Sequence, residues 1–318
     1  MNTTTIVSNS CVVLSWAEEV VAARTPAFVI CLIALPIHAL FWIHLLFYSS
    51  VREKGMIWLY IYLLSDVFLI FRFLLFFGLR TNKVCILTST RIYLCYFEAT
   101  SKFYTNIFQS YILLGLNVCR YIQIVHNLNV YTKNRRAVIL ALAIVFIAPV
   151  ANIAFQFPIG WAALWRRSGG LCDISYASVG TRVYNLIVTY IIPVTSNILF
   201  LGLCIRCISS TGNIKNQQII NNRRKFHRTI LKQSLIFYTI WIVLWSPYVL
   251  SFQFVNNNSL AGIFTSLLNY IQIAIDPAIV AIIDVRFMKA WKNTYKRIFK
   301  KKQTHVQPTT TIATPKKY

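Results

Sequence analysis

The chain has 318 residues, 57% of them hydrophobic, 15% aromatic and only 13% charged, with a formal net charge of +24. A soluble domain carries about 25% charged residues, so this composition cannot clothe a water-facing surface of such size. The hydrophobicity excludes a disordered chain, and scattered glycines with only eight cysteines exclude a collagen or a disulfide scaffold, which leaves a multi-pass membrane protein.

A membrane-spanning helix needs about 20 mostly apolar residues, and the charges mark where each begins and ends. The first uncharged run is Thr25 to Val51, between Arg24 and Arg52. The second lies between Lys54 and Arg80 and holds Asp66 and Arg72. The third runs from near Arg91 to about Ile124 and contains Glu98, Lys102 and Arg120. Arg136 to Arg166 and Arg182 to Arg206 bracket the fourth and fifth. No charge interrupts Ser234 to Ile275, about twice the length one crossing needs. That stretch must turn, and Asn256-Asn257-Asn258-Ser259 with Gly262 supplies the turn chemistry. The expected architecture is an all-α bundle of seven transmembrane helices over residues 26–284, preceded by an outer N-terminal segment, 1–25. Residues 285–299, with Phe287, Trp291 and Phe299 among basic residues, read as an amphipathic helix on the membrane surface. The Thr-rich tail, 300–318, is disordered by composition and open to phosphorylation.

Basic residues in the short loops set the orientation. Twenty-two fall on the face that receives Arg52, Lys133, Arg206, Arg228 and the tail, against seven on the other, which puts the C-terminus in the cytosol. The net charge is thus mostly a cytosolic skirt, suited to anionic lipid headgroups or an acidic partner. Nucleic acid is not expected as a partner, because these residues flank spans and sit on no soluble domain. The first 23 residues lack a basic n-region, and Glu18 and Glu19 break their apolar stretch, so the first span is expected to act as a signal-anchor. Asn2 and Asn257 head N-glycosylation sequons on the outer side.

Ionisable groups inside spans are costly and functional by default. Asp66 and Asp276 admit three uses: a shared cation such as sodium, a shared proton, or the dyad of an intramembrane protease. The protease reading fails on Ala274-Ile275-Asp276-Pro277, which lacks a flanking glycine; a hydrated polar joint between the second and seventh spans is the plainer alternative. Glu98 and Lys102 stand four apart, so they can pair on one helix face. Otherwise Lys102, with Arg72, faces an outward-open cavity and meets an anionic group. Arg120 reads alone as a snorkelling helix-end arginine, while Pro193, Pro247 and Pro277 kink the fifth, sixth and seventh spans.

Together these positions resemble the rhodopsin-like (class A) family of G protein-coupled receptors, over about Pro26 to Phe299. The fragments that carry the resemblance are Leu63-Leu64-Ser65-Asp66, Cys119-Arg120-Tyr121, Pro193, Leu244-Trp245-Ser246-Pro247 and Asp276-Pro277-Ala278-Ile279-Val280, each on its proper span. The resemblance implies a disulfide between Cys95 and Cys172, and Cys11 and Cys85 form a second candidate pair outside. It implies a ligand pocket drawn from Arg72, Lys102, Asn106, Trp245, Tyr248, Phe252, Asn269 and Tyr270. It assigns activation and coupling to Arg120, Tyr121, Trp245, Pro247 and Pro277, with movement of helix six opening a cleft for a heterotrimeric G protein. Arrestin and a receptor kinase are the further partners it implies, and the plasma membrane the location.

The departures are specific. Pro36-Ile37-His38 stands where the family places Gly-Asn, Cys119 replaces the acid beside Arg120, and His227 stands where helix six often carries an acid. An ion lock is therefore absent, and either higher basal activity or another restraint is expected. Span seven has no lysine from Gly262 to Ile283, which excludes a retinal Schiff base there, and Lys102 stands where aminergic receptors carry aspartate. No Ser-His, zinc or phosphate-cradling constellation supports an enzyme. The rival class is a transporter or channel for a small solute, which would need a continuous polar path.

Overall fold

The computed structural model describes residues 11–48, 52, 54–126, 128–166, 172–210, 217–254, 259–283, 287–292 and 294. The two sequon asparagines, Asn2 and Asn257, and the tail from 300 to 318 lie outside the described residues.

Seven long helices form the bundle: α1 (Glu18–Phe47), α2 (Ile57–Thr81), α3 (Thr88–Val125), α4 (Arg135–Gln156), α5, α6 (Gln217–Phe254) and α7 (Leu260–Ile283). Helix α5 is built from Val179–Leu186, a π-helical turn at Ile187–Ile191, and Ile192–Ser210. All but α3 are long and apolar enough to cross a membrane by length and composition. Helix α3 is the exception because it runs through the middle of the bundle. Its Asn106, Gln109, Ser110 and Asn117 are buried inside the bundle, where side-chain and backbone partners replace water, so they never meet lipid. At the other extreme, α4 buries only four of its 22 residues, Val138, Pro149, Ile153 and Gln156, and lies at the bundle edge.

The polar groups that α3 brings inward find partners on its neighbours. Asn117 donates to Asn197 Oδ1 on α5 at 2.6 Å. Gly115 lets α2 come close: a Cβ there would lie 2.5 Å from the ring of Trp58, which is fully buried. The π turn in α5 precedes Pro193. The Ile192 N–H bonds back to the Ile187 carbonyl, and in that register the Val188 carbonyl would look to Pro193, which has no N–H. The Tyr111 hydroxyl of α3 donates to Val188 instead, at 2.7 Å.

Two hairpins shape the outer end. Strand β1 (Cys11–Val13) pairs antiparallel with β2 (Cys85–Leu87), and β3 (Ala162–Arg166) pairs with β4 (Cys172–Tyr176). A disulfide joins Cys172 of β4 to Cys95 at the start of α3, with Cα atoms 5.3 Å apart. Cys85 is also disulfide-bonded, and its strand pairs with the one that contains Cys11; the Cys11 side chain is outside the described atoms. Helix α1 starts at Glu18, so the outer segment expected at 1–25 already contains two helical turns and Arg24.

At the inner end, residues 287–292 are helical. Phe287 is fully buried and stacks on Phe41 of α1, ring centroids 4.6 Å apart. The Tyr48 hydroxyl meets that of Thr294 at 2.5 Å, and Trp291 packs edge-on to His44.

Candidate functional site

A cavity of about 510 Å³ opens among α1, α2, α3, α6, α7 and β4. Of the eight expected pocket residues, Arg72, Lys102, Tyr248, Phe252 and Tyr270 line it. The lining also includes Trp16, Glu19 and Arg24 from the N-terminal side, Asp173 of β4, and Ser266 of α7. None of these was marked by the hydropathy pattern, in which a charge such as Arg24 reads as the edge of a span.

Lys102 does not pair with Glu98. The Glu98 carboxylate accepts from Arg80 at the outer end of α2, and both side chains are buried, 6% and 5% exposed. The Lys102 amine turns the other way, to α7 and α6. It donates to Ser266 Oγ at 2.9 Å and lies 3.9 and 4.7 Å from the ring centroids of Tyr248 and Tyr270. Among the described residues no carboxylate comes within ion-pair distance of it. Cation–π contacts contribute about 0.5–2 kcal/mol each, less than the several kcal/mol that removing an ammonium from water costs. Arg72 is held against α3 instead, donating to Ser101 Oγ and the Glu98 carbonyl and lying over the Phe76 ring.

Asn106, Trp245 and Asn269 do not line this cavity; they close the layer beneath it. Asn106 Oδ1 accepts from Trp245 Nε1 at 2.9 Å and from Asn269 Nδ2 at 3.4 Å. Its own amide donates to the Lys102 carbonyl at 2.8 Å. Trp245 is fully buried and stacks on Trp241, centroids 4.2 Å apart, two residues before Pro247. One hydrogen-bonded unit thus ties the Lys102 turn of α3 to the kinked part of α6.

Asp66 and Asp276 are both buried, but neither bonds the other. Asp276 Oδ2 accepts from the Tyr62 hydroxyl at 2.7 Å and from Gln272 at 3.1 Å. Asp66 Oδ1 accepts from Gln109 Nε2 at 2.7 Å, which also donates to Ser65 at 2.9 Å. Asp66 Oδ2, Gln109 Oε1 and Gln272 Oε1 have no hydrogen-bond partner in the protein. Such oxygens suit a small hard cation, a shared proton or water.

At the inner end Arg120 donates to Ser234 Oγ on α6, so a neutral hydroxyl occupies the place of an acidic partner. Tyr121 packs on Phe200 of α5, centroids 5.4 Å apart. Gln233 donates to the Ile283 carbonyl at 2.6 Å, which ties α6 to α7. The described inner end is therefore closed. The side chain of His227 lies outside the described atoms.

The crystal structure of squid rhodopsin matches the chain with a TM-score of 0.65, covering 90% of this chain and 88% of that one. The two share the seven-helix fold. Identity is 11%, so the likeness extends to the path of the backbone and not to the site. No protein-family model and no curated protein sequence matches the chain. With its apolar helices, the rhodopsin-like fold makes it a multi-pass membrane protein.

Proposed function

We propose that the chain is a plasma-membrane receptor of the G protein-coupled type, with its N-terminus outside and its C-terminus in the cytosol. It binds an extracellular ligand, a peptide or an anionic small molecule, in the outer cavity, and activates a heterotrimeric G protein as the inner half of α6 moves outward. The observation that carries this reading is the shared acceptor Asn106, which couples the turn bearing Lys102 to Trp245 and so to the Pro247 kink. A ligand that draws on Lys102 shifts the α3 turn, and the same hydrogen-bonded unit transmits the shift to α6. Signalling is then a population shift between two packings, biased from outside by ligand and from inside by the G protein.

On this reading Arg120 and Tyr121 line the coupling cleft once α6 has moved, and Pro277 lets α7 repack against the Asp66–Asp276 region. A sodium ion bound there would stabilise the closed packing. Asn2 and Asn257 carry glycans, the Thr-rich tail meets a receptor kinase and then arrestin, and the basic inner rim rests on anionic lipids. The test is guanine-nucleotide exchange on purified G proteins, with the receptor in lipid nanodiscs and a library of peptides and organic anions. Ligand-dependent exchange that vanishes in Trp245→Ala supports the reading. Solute flux in proteoliposomes without any G protein, and no exchange with any ligand, would replace it with a transporter.

A further inference from the structure

We infer that the ligand is a short peptide ending in aspartate or glutamate, bound carboxyl end deepest, with its free N-terminal ammonium at the cavity mouth. It rests on the receptor reading only for its consequence, since the binding stands on the cavity. Three observations narrow the chemistry.

The charges of the lining are sorted by depth. Asp173 follows Cys172, which is bridged to Cys95, and Lys102 lies seven residues further along α3, about 10 Å deeper. Arg72 shares the level of Lys102, because it donates to Ser101. On α1, Glu19 is exposed and Arg24 lies five residues, about 7 Å, further in, over the Trp16 ring. Two carboxylates thus stand at the mouth, with three cations below them. None of the three cations is in an ion pair among the described residues. An ammonium has three donors and a guanidinium five, so Lys102 and Arg72 keep N–H groups for a ligand beyond those given to Ser266, Ser101 and the Glu98 carbonyl.

The balance of charge selects a dipolar molecule. Glu98 is neutralised by Arg80, so three cations against two carboxylates leave the lining with a single positive charge in excess. A simple polyanion answers the cations and leaves the carboxylates at the mouth unmatched. A peptide that ends in an acidic residue brings two carboxylates to the cations and one ammonium to Glu19 and Asp173. Both ends are then complementary, and the filled site is neutral.

The separation of the two levels sets the length. Three extended residues, at about 3.3–3.6 Å each, span about 10 Å, whereas a free amino acid carries its ammonium and α-carboxylate on one carbon. Phe76 on α2 and Ala99 on α3 stand about one helical turn above Arg72 and Lys102 and bring no charge to the lining. A neutral middle side chain fits that belt, and a cavity of about 510 Å³ suits a ligand of this size.

The test is direct binding to the full-length protein in nanodiscs, without G protein, read by thermal shift and by calorimetry. The reference probe is a free tripeptide of alanine, leucine and glutamate, in that order. It is compared with the same peptide ending in glutamine, amidated at its C-terminus or acetylated at its N-terminus, and with free glutamate and citrate. Either change at the carboxyl end is expected to weaken binding by about ten- to a hundredfold, the cost of one charge-assisted hydrogen bond. Acetylation is expected to cost about three- to tenfold, less because Glu19 is exposed. Free glutamate and citrate, each meeting one level only, should bind at least about tenfold more weakly than the reference. Lys102→Gln and Arg72→Gln should each weaken the reference peptide by about ten- to a hundredfold, and Lys102→Arg, which keeps the charge, controls for folding. Glu19→Gln should weaken the free peptide and leave the acetylated one unchanged. Citrate binding as tightly as the tripeptide, equal binding of acid and amide, acetylation without effect, or no peptide binding would each overturn the inference. Peptide binding without nucleotide exchange would overturn the receptor reading and leave the inference standing. Exchange driven only by ligands other than peptides would do the reverse.

Discussion

The imidazole of His38, buried in α1, donates from Nε2 to the carbonyl of Ile273 on α7, 3.0 Å away. Ile273 stands four residues before Pro277, so its carbonyl is the one that the proline, lacking an N–H, cannot serve. The histidine that departs from the family pattern in the first span therefore repairs the break that the proline makes in the seventh. Its other ring nitrogen is buried without a partner.

His38→Leu is expected to lower stability by about 1–3 kcal/mol, the cost of a buried carbonyl left without a donor. In Pro277→Ala the new N–H can serve Ile273, so the same histidine change should then cost much less. Thermal denaturation of the four proteins of this cycle in nanodiscs measures the coupling. Equal cost in both backgrounds would detach His38 from the kink.

Gly115→Ala is expected to destabilise the bundle by about 1–3 kcal/mol, because its methyl group would meet the Trp58 ring on α2. A second change, Trp58→Phe, removes atoms from the collision and should restore part of the loss. Melting temperatures of the single and double variants check this.

The Arg120–Ser234 bond ties α3 to α6 without a countercharge. Ser234→Ala is expected to raise basal nucleotide exchange about fivefold, if the tie contributes about 1 kcal/mol to the closed packing. Ser234→Asp supplies an acid and should lower it below the unmodified protein. Ligand-free exchange rates decide, and a basal rate equal to that of empty nanodiscs would contradict the expected lack of an ion lock.

Replacing Cys95 and Cys172 together by serine is expected to cost about 2–5 kcal/mol of stability. It should also weaken ligand binding, because β4 carries Asp173 into the cavity wall beside the bridge. Binding at a temperature where both proteins remain folded separates the two effects.

The bundle was legible because a bilayer imposes a length on every span, and charges outside it punctuate that length. Lys102 and Arg72 stood out for the same reason, as charges within apolar runs. What sequence spacing could not resolve was partner choice. Lys102 is four residues from Glu98, yet the carboxylate bonds Arg80, eighteen residues before it, because the end of α2 packs there. Arg24 looked like a boundary, although α1 extends past it and brings it to the cavity. Asn106, Trp245 and Asn269 are expected in the ligand pocket with Lys102 and Arg72, but they bond to one another beneath the cavity rather than on its wall, since an asparagine one helical turn deeper than Lys102 faces the next layer of the bundle.

The π turn in α5 has a consequence for how the two halves of that helix face the bundle. One inserted residue advances the chain by about 100° around its axis. Everything from Val179 to Leu186 is therefore rotated relative to the segment that holds Asn197. That rotation aims Asn185 inward, where it exchanges amide hydrogen bonds with Gln156 of α4 at 2.8 and 3.0 Å. Deleting one residue between 187 and 191 would wind the helix back to ordinary pitch, swing Asn185 toward lipid and break both of its amide hydrogen bonds to Gln156.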